Sequence, residues 1–236
     1  FLSRVCREFS LLPFRSGFPV LLDLVYVAFY ALGAYVYALL ASPHFGLPLP
    51  FWVILPIGAA TAALFGLLLG APTLKLRGDY LAIVTLGFGE IVRIFLNNLA
   101  RPVNITNGPQ GISGIDPFRI GPVSFAKTDT VFGVMVSGPM KHYWLLLLVL
   151  VAVIAINLRL QNSRIGRAWE AVREDEIAAR AMGIDTTKIK RFAFAMGASF
   201  GGGAGGMFAA IQGFVSPAGF VLLESLVGVS VVALGG

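Results

Sequence analysis

From Leu24 to Leu74 the chain carries no Asp, Glu, Lys or Arg, and the same holds from His142 to Leu158 and from Phe192 to Leu223. Runs of that length would leave a soluble domain with too much apolar surface, whereas a membrane helix needs about 20 mostly apolar residues. Composition agrees: 57% of the 236 residues are hydrophobic and 13% are charged, against about 25% charged in an ordinary soluble domain. Mean hydropathy is +0.82. The fold class implied is all-α, a polytopic transmembrane bundle with about six membrane helices; a large soluble core is the alternative that hydropathy disfavours.

Apolar runs and turn residues place the spans at about 18–41, 51–71, 80–98, 143–158 and 192–214, with a sixth from Phe220. Arg4, Arg7 and Arg15 precede the first span, and Lys75 and Arg77 follow the second. Arg159, Arg164, Arg167, Arg173, Arg180, Lys188, Lys190 and Arg191 follow the fourth. Counting crossings puts all three groups on one side, which the positive-inside rule makes cytoplasmic. The N-terminus of this chain is then cytoplasmic, residues 159–191 form a cytoplasmic loop and residues 99–140 a periplasmic one. The pI near 9.8 is thus topological, and the basic residues do not form the patch that nucleic acid requires.

Cys6 is the lone cysteine, which excludes an intrachain disulfide and a thiolate metal cluster, and no metal or cofactor is expected. His44 and His142 lie near span ends and read as solvated interfacial residues. The opening "FLSRVCREFSLLPF" reads as an interfacial amphipathic helix or a basic tail. The chain starts at Phe1 with no signal-peptide cleavage pattern and stops at Gly235 and Gly236 inside an apolar run, so residues 1–236 read as one transmembrane domain of a larger subunit.

The stretch "RGDYLAIVTLGFGEIVRIF" sets charges inside a span. Asp79 reads as the N-cap of its helix. Glu90, eleven residues on, falls roughly 16 Å along the axis, near the middle of a hydrocarbon core about 30 Å thick. Arg93 is one turn further on the same face. Gly87 and Gly89 leave room for close approach or local unwinding. Two readings stand for Glu90 and Arg93: an ion pair that fixes packing, or the lining of a translocation pathway. Asp23 reads either as a functional intramembrane charge or, more simply, as the cap of a helix that begins there.

The segment 99–140 contains "NITNGPQGISGID", turn chemistry in a connection long enough to suggest a docking or lid role beside that of a plain loop. Asn104 matches a glycosylation sequon, a weak signal. "GASFGGGAGGMFAAIQG" has no Gly-Lys-Ser or Gly-Lys-Thr and is no phosphate loop. Gly197, Gly201 and Gly205 recur every four residues, the spacing that packs membrane helices backbone to backbone. In the basic loop, Asp175 caps a short helix ended by Gly183, with Ile177, Ala178, Ala181 and Met182 on one face. Trp169 and Val172 extend that surface, and Thr186 or Thr187 caps the next membrane helix. Such a helix docks in a partner's groove or lies on membrane lipid.

The strings "LKLRGDYLAIVTLGFGEIVRIFLNN", "TNGPQGISGI", "NSRIGRAWEAVREDEIAARAMGI" and "QGFVSP" followed by "ES" occur in this order. On these the chain, from about 21 to 236, resembles the LivM-type permeases of bacterial branched-chain amino-acid ABC importers. The resemblance implies a multi-pass permease of the bacterial inner membrane that works by alternating access and is not itself an enzyme. Its implied partners are a second, LivH-type permease subunit, two cytoplasmic ATPase subunits that hydrolyse ATP, and a periplasmic substrate-binding protein. Glu176, Ala178, Ala179 and Gly183 match much of the loop by which such permeases contact their ATPases, with Arg173, Glu174, Asp175 and Arg180 around it. The Leu-Pro ending seen in many of these loops is missing. Urea or short amides are the alternative substrates within the family, and a secondary transporter or channel is the alternative of another class.

Overall fold

The computed structural model describes residues 18–42, 50–73, 79–99, 106–115, 119–120, 123–124, 129–131 and 134–220. Among the described residues there are five long helices, α1 (Phe18–Ala41), α2 (Phe51–Thr73), α3 (Asp79–Asn98), α4 (Gly138–Gln161) and α7 (Thr186–Gln212). Between α4 and α7 lie two short ones, α5 (Arg164–Glu174) and α6 (Glu176–Ala181). The helices α2, α4 and α7 are long and apolar enough to cross a bilayer, and α1 supplies the shorter apolar piece Tyr26–Ala41. The expected sixth span, the opening basic segment, His44 and Asn104 lie outside the described residues.

Boundaries differ from expectation where caps decide them. Helix α1 starts at Phe18, so Asp23 lies inside it and cannot be its cap. Helix α4 starts at Gly138, with Ser137 in extended geometry at its N-cap and Pro139 in the first turn, where a missing N–H costs nothing. His142 falls in that first stretch, its Nδ1 2.9 Å from Gly138 O. Helix α7 is capped by neither Thr186 nor Thr187. Asp185 does it, accepting from the Lys188 N–H at 3.2 Å.

Helix α7 is the centre of the bundle, packed against α1 on one side and α2 on the other. Side chains alone drive little association between helices in lipid, so close backbone approach supplies it. A Cβ on Gly205 would stand 1.9 Å from Tyr30 O of α1, and one on Gly33 would stand 2.0 Å from Gly202 O of α7. On the other face a Cβ on Gly202 would meet the Ala62 Cβ of α2 at 2.4 Å. Gly201 is buried beside Phe29, and Gly197 is half-buried. Around this seam Tyr30 packs on Phe208 at 5.5 Å and Phe220 at 5.8 Å.

At the C-terminal ends of α3 and α7 the loop Thr106–Ile115 is tied down. The buried Thr106 hydroxyl donates to Leu96 O at 2.7 Å. Strand β1 (Ile112–Ser113) pairs antiparallel with β6 (Phe214–Val215), just past the left-handed cap Gly213. Gly111 needs its freedom twice: φ is 72°, and a Cβ would stand 2.3 Å from Val215 O. Two further antiparallel strand pairs, β2 (Arg119–Ile120) with β3 (Val123–Ser124) and β4 (Asp129–Val131) with β5 (Val134–Val136), lie further along the expected periplasmic segment.

Candidate functional site

Helix α6 forms where its cap demands. The Asp175 carboxylate accepts from the N–H groups of Ile177 at 2.7 Å and Ala178 at 3.1 Å, satisfying donors that a helix start leaves open. It ends on Gly183, whose φ of 85° falls in the left-handed region that glycine enters without penalty. The preceding helix α5 starts on Ser163, which accepts from Gly166 N at 3.2 Å and donates to Leu160 O at 2.6 Å. Arg173 and Glu174 close α5, and Glu174 is exposed.

Two faces of α6 differ in a telling way. Ile177 is 81% exposed and Met182 73%, and Ala178 and Ala181 are exposed beside them. The opposite face turns Ala179, 1% exposed, and the polar Glu176 toward the rest of the chain. A helix on the surface of a water-soluble domain has the reverse arrangement, apolar in and polar out.

Glu176 is the hub of the inward face. Lys190 Nζ of α7 donates to its Oε2 at 2.6 Å, and Arg180 donates to its Oε1 at 2.6 Å. The Thr186 hydroxyl lies 3.3 Å from the same oxygen and accepts from Arg180 Nε at 2.9 Å. Hydrogen bonding from the Lys190 ammonium, and then the charges of Lys190 and Arg180, hold the Glu176 carboxyl below its usual range against the opposing effect of burial. Asp185 is held low too, first by the backbone N–H and then by the ammonium of Lys188.

Trp169 does not extend the exposed apolar face. Its Nε1 donates to Ile189 O at 3.0 Å and its indole stacks on Phe192 at 6.0 Å, so it pins α5 to the base of α7. The sequence reading missed Lys190 and Thr186. Their distance along the chain from Glu176 gives no local spacing to read, and only the folded hairpin brings them together.

Within α3, Arg93 Nε chelates Glu90, 3.1 Å from Oε1 and 3.0 Å from Oε2, and its Nη2 also meets Oε1. Both side chains are partly exposed, Arg93 33% and Glu90 44%. Beside Arg93 and Gly89 lies a shallow cleft with room for about one water, walled by Ala28 and Ala31 of α1, Val92 and Leu96 of α3, and Phe220. A Cβ on Gly87 would meet nothing within 4 Å. The residues Gly87, Gly89, Glu90 and Arg93 expected to line a pathway lie on α3, apart from the α6 residues.

Comparison with known proteins gives a consistent picture. The family model described as "Branched-chain amino acid transport system / permease component" matches residues 16–236. The high-affinity branched-chain amino acid transport system permease proteins LivM of Salmonella typhimurium and Escherichia coli are each 48% identical over 233 residues, 93% of this chain and 53% of theirs. A probable branched-chain amino acid transport permease protein LivM of Methanocaldococcus jannaschii is 31% identical over 160 residues, 66% of this chain and 42% of its own. The chain spans about half the length of the curated relatives it matches. No solved structure matches it.

Proposed function

This chain belongs to the branched-chain amino acid transport permease family, and on that premise we propose that it is a membrane-spanning part of an ABC importer that moves leucine, isoleucine and valine by alternating access. ATP is hydrolysed on two separate ATPase subunits in the cytoplasm. A second, LivH-type permease completes the membrane part, and a periplasmic binding protein delivers the substrate. The sides follow the positive-inside rule: the α5–α6 hairpin is cytoplasmic and the Thr106–Ile115 loop periplasmic. Glu90 and Arg93, with Gly87 and Gly89, line the pathway.

The observation that carries this reading is the inverted α6, with an apolar face outward and a polar face inward. Ile177 and Met182 would anchor in a groove on the ATPase, and Ala178 and Ala181 would allow close approach. Ala178→Glu or Ala181→Glu would put a charge into that contact without disturbing the inward face. In membranes from cells making the whole complex, either variant is expected to release the ATPase subunit on mild salt washing and stop leucine uptake, while this chain stays inserted. Normal co-purification and uptake in both variants would return α6 to the lipid surface.

A further inference from the structure

We propose that Glu176 and Lys190 form a latch that makes the α5–α6 hairpin and α7 move as one body, with Lys190 and Thr186 as positioning residues for coupling. This rests on the docking reading of α6 and adds the route by which its movement reaches the membrane bundle. Both carboxylate oxygens of Glu176 are engaged inside the chain, one by Lys190 and the other by Arg180 and Thr186. The charge at the head of the docking helix is therefore directed at α7, and contact with a partner falls to the exposed apolar side chains. The Lys190 side chain is only 13% exposed, and a shielded ammonium needs its anion in place.

A single tether would let the hairpin swivel. The second one, Trp169 Nε1 on Ile189 O, grips the residue next to Lys190, about 100° away around the helix. Together they fix rotation as well as position. Beyond them α7 meets α1 and α2 through glycines with no side-chain cushion, at Gly205 against Tyr30 O and Gly202 against Ala62. Close-packed contacts of this kind pass a displacement on as rigid-body motion. Partly exposed ion pairs contribute little to stability, so the latch acts through geometry.

The test uses the full importer in proteoliposomes, with three readings: ATPase subunit retained, ATP hydrolysed with loaded binding protein, and leucine moved per ATP. Glu176→Gln and Lys190→Met should keep the ATPase bound and hydrolysing while leucine per ATP falls about tenfold, within the range of ordinary coupling between sites. Lys190→Arg keeps the cation that Glu176 holds and should retain leucine per ATP to within about threefold of the parent. Release of the ATPase by Glu176→Gln would show that Glu176 touches the partner directly and would overturn the latch. So would unchanged leucine per ATP in both single variants, or Lys190→Arg no better than Lys190→Met. Failure of the docking reading shows separately, as an ATPase that stays attached in Ala178→Glu.

Discussion

Glu90 and Arg93 satisfy each other, yet each keeps a third or more of its side chain uncovered by this chain. A charge facing hydrocarbon is costly, which supports the proposal that this face of α3 meets a polar cavity or another subunit. Glu90→Gln or Arg93→Gln alone leaves one charge without its partner, and assembly should suffer. The double variant leaves no such charge. It is expected to insert and assemble normally in detergent-solubilised complexes while leucine uptake falls below about a tenth of the parent, the loss of a polar lining rather than of a fold. Uptake at the parent level in the double variant would reduce the pair to a packing device. The pair was legible because one-turn spacing in an otherwise apolar helix admits few other partners. The α7 cap was not legible, since Asp185 and Thr186 both suit the position. The Thr186 hydroxyl is taken by Arg180 and Glu176, and that contact comes from outside the local sequence.

At the scale of elements, the spacing of Ile177, Ala178, Ala181 and Met182 made one face of α6 readable, but spacing says nothing about which way a face points. Its direction is set by the other face, where Ala179 is buried and Glu176 is held by Lys190 of α7. The same limit applied to the glycines: four-residue recurrence marked Gly201 and Gly205, while Gly33, which meets Gly202, has no such signal in its own helix. The attachment of α6 has a pH signature. Glu176 titrates below the ordinary 4.5 in the folded chain, held there first by the Lys190 hydrogen bond. The stabilisation is therefore complete above that ordinary value and is lost as pH falls through the depressed one. The groups facing it are Lys190 and Arg180, and the Asp185 cap is also held low. Amide exchange of residues 176–184 in nanodiscs, corrected for intrinsic rate, should stay protected from about pH 7 to pH 5 and rise below about pH 4. Glu176→Gln should remove that step. A rise already centred near pH 6 would assign the loosening to another group.

For the whole molecule, polarity along the membrane normal follows from two distributions. Among the side chains described, Arg159, Arg164, Arg167, Arg180, Lys188, Lys190 and Arg191 gather where α4 ends and α7 begins. At the other end of α4, Tyr143 and Trp144 are 60% and 57% exposed, and Trp52 at the start of α2 is 55% exposed, the placement of interfacial aromatic residues. Helix α4 itself has only 6% of its span buried within this chain, so lipid or other protein must cover it. On the orientation proposed from the positive-inside rule, the basic end faces the cytoplasm and the proposed ATPases. Cysteine mapping in intact cells checks this. In a Cys6→Ser background, Gln110→Cys sits in the exposed turn Gly108–Gln110 and Glu170→Cys on the exposed side of α5. A membrane-impermeant maleimide is expected to label Gln110→Cys from outside and Glu170→Cys only after permeabilisation. Neither change touches a contact that holds the bundle together, so both variants should transport leucine as the parent does. Labelling in the opposite order would place α6 outside the cell, out of reach of any ATPase, and would remove the docking reading together with the latch built on it.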